Sequence, residues 1–186
     1  MTILSNGLDP LIVAIAAGTL LLIFVRGVWH KLTDHPMFRV ILENYEIVPA
    51  GWVPAAAMAV TAAEAAVALG LLFPATRSLA ALSGLTILAL YAIAIAINLR
   101  RGRVTIECGC GGPGHGLSWI LVWRNAGLMA LALIAALPAL DRAMGIWDML
   151  VVLAAVATVA LALASLEQAG SNAAYVMLSR NKGQRD

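Results

Sequence analysis

Five separate stretches of this chain are each as long and as apolar as a bilayer crossing requires, and nothing constrains its fold more. A hydrocarbon core about 30 Å deep takes roughly 20 apolar residues per helix, and inside it every backbone polar group must be bonded internally. The stretches run from about residue 10 to 29, 52 to 73, 79 to 99, 117 to 137 and 146 to 166. Asp9 offers a cap and Pro10 a first residue for the opening helix. Pro54 fits the first turn of the second helix, while Pro74 and Pro138 close the second and fourth. Of 186 residues, 62% are hydrophobic and 12% charged, against about half and about a quarter in soluble domains. The expectation is an all-α, polytopic membrane bundle over residues 1–170, a four-helix core plus one helix, with a polar tail over 171–186. Alanine-rich second, third and fifth stretches allow close helix approach. No basic segment precedes the first stretch and no small-residue cleavage site follows it, so it reads as a retained helix. A net charge of +2 gives no reason to expect nucleic acid; the lipid bilayer is the partner this composition demands.

The connection from His30 to Gly51 holds a second pattern. A short helix starting at Pro36, after Thr33 and Asp34, puts Met37, Phe38, Ile41, Leu42 and Tyr45 on one face, opposite Arg39, Glu43 and Glu46. That arrangement suits a helix lying in the membrane interface; a polar loop with accidental periodicity is the alternative. Basic residues then orient the chain. The first and third connections and the tail, which share one side, hold Lys31, Arg39, Arg100, Arg101, Arg103, Arg180, Lys182 and Arg185, while the other side holds Arg77 and Arg142. The positive-inside rule puts the C-terminus in the cytoplasm and the N-terminus outside it, which for a bacterial inner membrane is the periplasm.

The two cysteines, Cys108 and Cys110, sit one residue apart in the third connection, within Glu107-Cys-Gly-Cys-Gly-Gly-Pro-Gly-His-Gly116. They form no disulfide framework for the fold. A bond between cysteines at i and i+2 needs unusual backbone angles, which Gly109 permits, and such strained disulfides are the labile, oxidising kind. Arg100, Arg101 and Arg103 favour thiolate and Glu107 opposes it. Gly111, Gly112 and the glycines flanking His115 leave room for a partner's active site. Cys108, Cys110 and His115 also make an incomplete ligand set for zinc or copper, but the spacing is atypical and no fourth ligand is evident. An inert pair in a glycine-rich turn is the plain alternative. The order is redox first, inert turn second, metal third.

Charged and amide residues also occur inside the stretches, where they are costly unless paired, protonated or wet. Glu64 lies midway along the second, Arg124 and Asn125 in the fourth, and Arg26 near the end of the first, with Lys31 beyond it at the interface. Glu64 with Arg124 or Arg26 is the expected polar cluster, with Tyr91 and Asn98 as further members; Arg26 suits snorkelling to headgroups. Trp29, Trp52, Trp119, Trp123 and Trp147 fall near stretch ends as interfacial anchors, and His30 and His35 as interface residues.

These features together resemble the MauE family, the methylamine-utilisation branch of the DoxX-like membrane proteins. The resemblance rests on Gly27-Val-Trp-His-Lys-Leu32, Phe38, Tyr45-Glu-Ile-Val-Pro49, Glu64, Asn98-Leu-Arg-Arg-Gly102, Cys108-Gly-Cys-Gly-Gly112 and Arg124-Asn125, over roughly residues 10 to 140. The family's loop often reads Cys-x-Cys-Phe-Gly, and Gly111 stands here in place of the aromatic. The resemblance implies a helical bundle similar to vitamin-K-epoxide-reductase-like cores. It implies work with a thioredoxin-like, MauD-type partner in disulfide formation of the periplasmic methylamine dehydrogenase small subunit. Cys108 and Cys110 would exchange disulfides, supported by Glu64, Arg124, Asn125 and Arg26. No cofactor motif stands out; a quinone is the one cofactor left open. A cytoplasmic loop conflicts with a periplasmic substrate, since disulfides persist outside and are reduced inside. The competing expectation is a non-catalytic scaffold that docks and stabilises the partner; a transporter is disfavoured by the lack of an inverted repeat.

Overall fold

A computed structural model describes residues 7–103, 106 and 116–183, with side chains through residue 166 and at 168. Six helices follow in order: α1 (Pro10–Thr33), α2 (His35–Asn44), α3 (Val53–Leu71), α4 (Pro74–Arg100), α5 (Trp119–Ala136) and α6 (Ile146–Gly183), with a single 3-10 turn at Ala50–Trp52 ahead of α3. Five are long and apolar enough to cross a membrane. No strand occurs among the described residues, and Leu8 and Ala139 form a lone bridge. The fold is thus the all-α membrane bundle with a short helix after the first span.

Helix ends follow from their caps. Asp9 Oδ1 accepts from Leu11 N at 2.8 Å, with Pro10 behind it at the first helical position. Asp34 Oδ1 accepts from Met37 N at 3.2 Å and starts α2 just after α1 stops. Two ends differ from the sequence reading. Pro74 opens α4 rather than merely closing α3, because the Phe73 carbonyl accepts from both Thr76 N and Arg77 N and carries the helix through a polar turn. α1 continues past Trp29 to Thr33, which places Lys31 on a helix.

The core lies among α1, α3, α4 and α5, where Leu20, Phe24, Val67, Leu88 and Leu128 are buried. Small residues set its tightness: a Cβ on Gly84 would stand 2.9 Å from the Phe24 ring, and one on Gly70 would stand 2.8 Å from Ala80 Cβ. α6 packs outside this core, chiefly on α1, with Val156 close against Gly18. No residue of its spanning segment is fully buried within the chain. α2 turns Phe38, Ile41 and Tyr45 inward. Met37, expected on that face, is exposed, because about 100° per residue leaves it a quarter-turn from the buried line. All five tryptophans are more than half exposed, as side chains facing lipid or headgroups should be.

The two ends of the bundle are fastened differently. At one, Leu8 N donates to Pro138 O and Leu140 N to Leu8 O, while Arg142 bridges Asp9 and Asp148. At the other, Arg103 pairs with Glu46, the residue that follows α2 at φ +47°, and donates to Asn44 O.

Candidate functional site

Each spanning helix presents its inward face at three- and four-residue spacing, and polar residues occupy some of those positions. On α1 the buried line runs Val13, Ala16, Leu20, Phe24 and then Lys31. On α3 it runs Ala57, Thr61, Glu64, Val67 and Leu71, and on α4 it passes Leu88, Ala92, Ile95 and Asn98. Cα–Cβ bonds lean toward a helix's own N-terminus. α1 and α4 run one way and α3 the other, so Lys31 and Tyr91 lean into the bundle while Glu64 leans toward them.

They meet. Lys31 Nζ donates to Glu64 Oε1 at 2.8 Å and to Oε2 at 2.7 Å, with both residues about 2% exposed. The Tyr91 hydroxyl donates to Glu64 Oε1 at 2.5 Å. The ammonium also lies 5.1 Å from the centre of the Phe38 ring and 5.5 Å from that of Tyr91, within cation–π range. Gly27 keeps the approach open: a Cβ there would stand 3.4 Å from Glu64 Oε2 and 3.6 Å from Lys31 Nζ. A buried carboxylate and a buried ammonium, each ruinous alone, thus neutralise each other and are largely bonded. The expected partner of Glu64 was Arg26 or Arg124. The ion pair that forms is with Lys31, because α1 runs four residues further than its apolar stretch and turns that side chain inward.

The remaining site residues fall as follows. Arg26 is exposed on α1, and Arg124 is half-buried on α5. Asn125 is buried on α5. Asn98 is fully buried, with Nδ2 donating to Ala94 O at 3.1 Å and Oδ1 without a partner. Cys108, Gly109, Cys110, Gly111, Gly112 and His115 lie outside the described residues. The feet of their connection are described. Leu117 N donates to Ile106 O at 3.1 Å, and both residues pack with Ile41 of α2, Tyr45 at its C-cap and Ile95 of α4. Beside them the Arg103 guanidinium, hydrogen-bonded to Glu46, holds that carboxyl below its ordinary value. At the opposite end the Leu11 amide and then Arg142 hold Asp9 low.

A cavity of about 320 Å³ lies against the Lys31 end of the cluster, between α2, α3 and α4, and is lined almost wholly by apolar side chains. Sequence reasoning passed over Lys31, and the signal for it was available. Lys31 falls seven residues after Phe24 and four after Gly27, on the same helical line as the core.

Fold and site together define a multi-pass membrane protein whose core holds a neutralised lysine–glutamate pair near the rim that bears α2. The family model described as methylamine utilisation protein MauE matches residues 9–139. Proteins named methylamine utilization protein MauE are similar to the chain. That of Paracoccus versutus is 37% identical over 130 residues, covering 69% of this chain and 70% of its own. The Methylorubrum extorquens protein is 33% identical over 126 residues, covering 67% and 68%. The Paracoccus denitrificans protein is 38% identical over 116 residues, covering 61% and 62%. No solved structure matches. The chain belongs to the MauE family, which acts in methylamine utilisation.

Proposed function

We propose that this protein is a thiol–disulfide exchange component of methylamine utilisation, acting through Cys108 and Cys110 in the maturation of methylamine dehydrogenase or a similar periplasmic enzyme. The observation that carries the reading is the fastening of the connection that bears both cysteines. Its feet, Ile106 and Leu117, are hydrogen-bonded to each other and seated on α2. The described feet of the connection that carries two thiols one residue apart thus meet at the bundle end that holds the Arg103–Glu46 bridge.

The exchange runs as ordinary disulfide chemistry. A substrate thiolate attacks the Cys108–Cys110 disulfide, one sulfur leaves as thiolate, and a mixed disulfide forms. A second substrate thiolate attacks that bond, leaving a substrate disulfide and a Cys108–Cys110 dithiol that has gained two electrons. A thioredoxin-like, MauD-type partner in its disulfide form takes those electrons and restores the pair. Glu64, Arg124, Asn125 and Arg26 serve in this reading as the supporting polar residues, with Lys31 paired to Glu64. Replacing Cys108→Ser should abolish disulfide formation in the dehydrogenase small subunit, read on non-reducing gels, while the protein inserts at normal abundance. Undiminished disulfide formation would reject the exchange role.

A second reading rests on charge. The rim that carries α2 bears exposed Arg39, Arg100 and Arg101, whereas the other end bears Arg77 and Arg142, which favours a cytoplasmic rim. From there a periplasmic substrate is out of direct reach, and the protein acts as a scaffold that docks and stabilises its thioredoxin-like partner. A cysteine-free version then restores partner abundance in a deletion strain as well as the parent does. Under the exchange role it restores abundance but not disulfides.

A further inference from the structure

The cavity under α2 has a feature that an accidental lipid-filled gap lacks, namely a buried lysine in its lining. Lys31 lines it and Glu64 does not. A lysine ammonium has three N–H donors, and two of them go to Glu64. One donor is left over, and Phe38, Tyr45 and Tyr91 line the cavity together with Lys31.

The charge state of this wall selects the occupant. The Lys31 charge is already taken up by Glu64, so a charged occupant of this apolar cavity would be desolvated with no free counter-charge to offset the cost. A neutral acceptor avoids that cost and takes the remaining N–H. Three aromatic faces favour a flat partner over a chain. The volume, about 320 Å³, sits at the small end of ligand sites, enough for a ring-sized head rather than a whole lipid. Leu90 and Ile93 line the cavity and are more than half exposed on the bundle's outer surface, so the mouth opens to the hydrocarbon phase.

We propose that this cavity binds a neutral, planar ring carbonyl compound carrying an apolar tail, which enters from the bilayer and accepts a hydrogen bond from Lys31. The site goes beyond the cysteine reading and stands without it, since none of its residues belongs to that loop.

The test uses the full chain in phospholipid nanodiscs and a tritiated decyl-substituted benzoquinone as probe, with empty nanodiscs as background and dodecanoate as competitor. Saturable binding is expected, unaffected by dodecanoate. Ala94→Trp, which fills the cavity and leaves the ion pair in place, should weaken it at least about tenfold. The K31M/E64L double variant should weaken it about tenfold, the worth of one buried hydrogen bond. Thermal unfolding identifies which variants fold, and weakened binding in a variant that folds supports the site. No saturable binding, unchanged binding in both variants, or equal competition by dodecanoate would overturn it.

Discussion

Removing Lys31 alone should be among the most damaging single changes this protein can suffer. At 2.7 Å and an effective dielectric of about 20, the pair attracts by about 6 kcal/mol. Desolvation of two ions costs several kcal/mol each and cancels most of that gain. The asymmetry therefore lies in breaking the pair. Lys31→Met strands a buried carboxylate whose remaining partner is the Tyr91 hydroxyl, and the expected loss is about 3–5 kcal/mol. Glu64→Leu strands the ammonium, partly offset by the Phe38 and Tyr91 rings and worsened by loss of the Tyr91–Glu64 hydrogen bond, for a similar total. The K31M/E64L double variant removes both charges and loses the Tyr91–Glu64 hydrogen bond, at about 1–3 kcal/mol. Adding Tyr91→Phe should bring stability within about 1 kcal/mol of the parent. Unfolding by SDS in mixed micelles, followed by far-UV circular dichroism, measures all four. A Lys31→Met protein within 1 kcal/mol of the parent, on the scale of an unremarkable surface change, would refute the reasoning. So would a double variant less stable than either single one.

Acid should loosen the end of the bundle fastened by Asp9. Its carboxyl is held below the ordinary 3.8 by the Leu11 amide and Arg142. That contribution is therefore complete above 3.8 and is lost as pH falls through the lower, folded value. Hydrogen exchange at the Leu8 and Leu140 amides, corrected for intrinsic rates, should speed up only in that acid range; a flat profile would contradict it. Glu46 behaves alike below 4.5, through its bond to Arg103, and its release should expose the Arg103 and Gly102 amides. Gly84→Ala should destabilise by about 1–3 kcal/mol through overpacking, because the new methyl would stand 2.9 Å from the Phe24 ring and 3.2 Å from Val67. Thermal unfolding in detergent checks this, and restored stability in a Phe24→Leu background would confirm the contact responsible.

The spans were legible because 20 apolar residues in a row have few other destinations. The interfacial helix was legible too, as Phe38, Ile41 and Tyr45 face inward at helical spacing. Less legible was where helices stop. Hydropathy ends the first span near Trp29, but a helix is free to run past its apolar stretch, and α1 ends only at Asp34, whose side chain caps the next helix. Those extra residues decide the site, since they convert Lys31 from an interface cation into the partner of Glu64. Counting charges by membrane depth favoured Arg124 and Arg26. Following the buried line through Leu20, Phe24 and Gly27 would have found Lys31. Tyr91 and Asn98 were legible as polar positions within the third span, without the pairing that sets Tyr91 on Glu64. The cysteine pair stood out by residue type and spacing, and it lies outside the described residues.

The central claim, that Cys108 and Cys110 cycle between bonded and free states, is tested most directly by trapping their redox state in cells induced with methylamine while growing on a second carbon source. Acid quenching followed by thiol alkylation with a mass-adding reagent should show a mixture of disulfide and dithiol. The balance should shift to disulfide when the small-subunit substrate is deleted and to dithiol when the thioredoxin-like partner is deleted. A pair that stays fully reduced in all three strains, with growth on methylamine undiminished in a Cys108→Ala, Cys110→Ala strain, would contradict it.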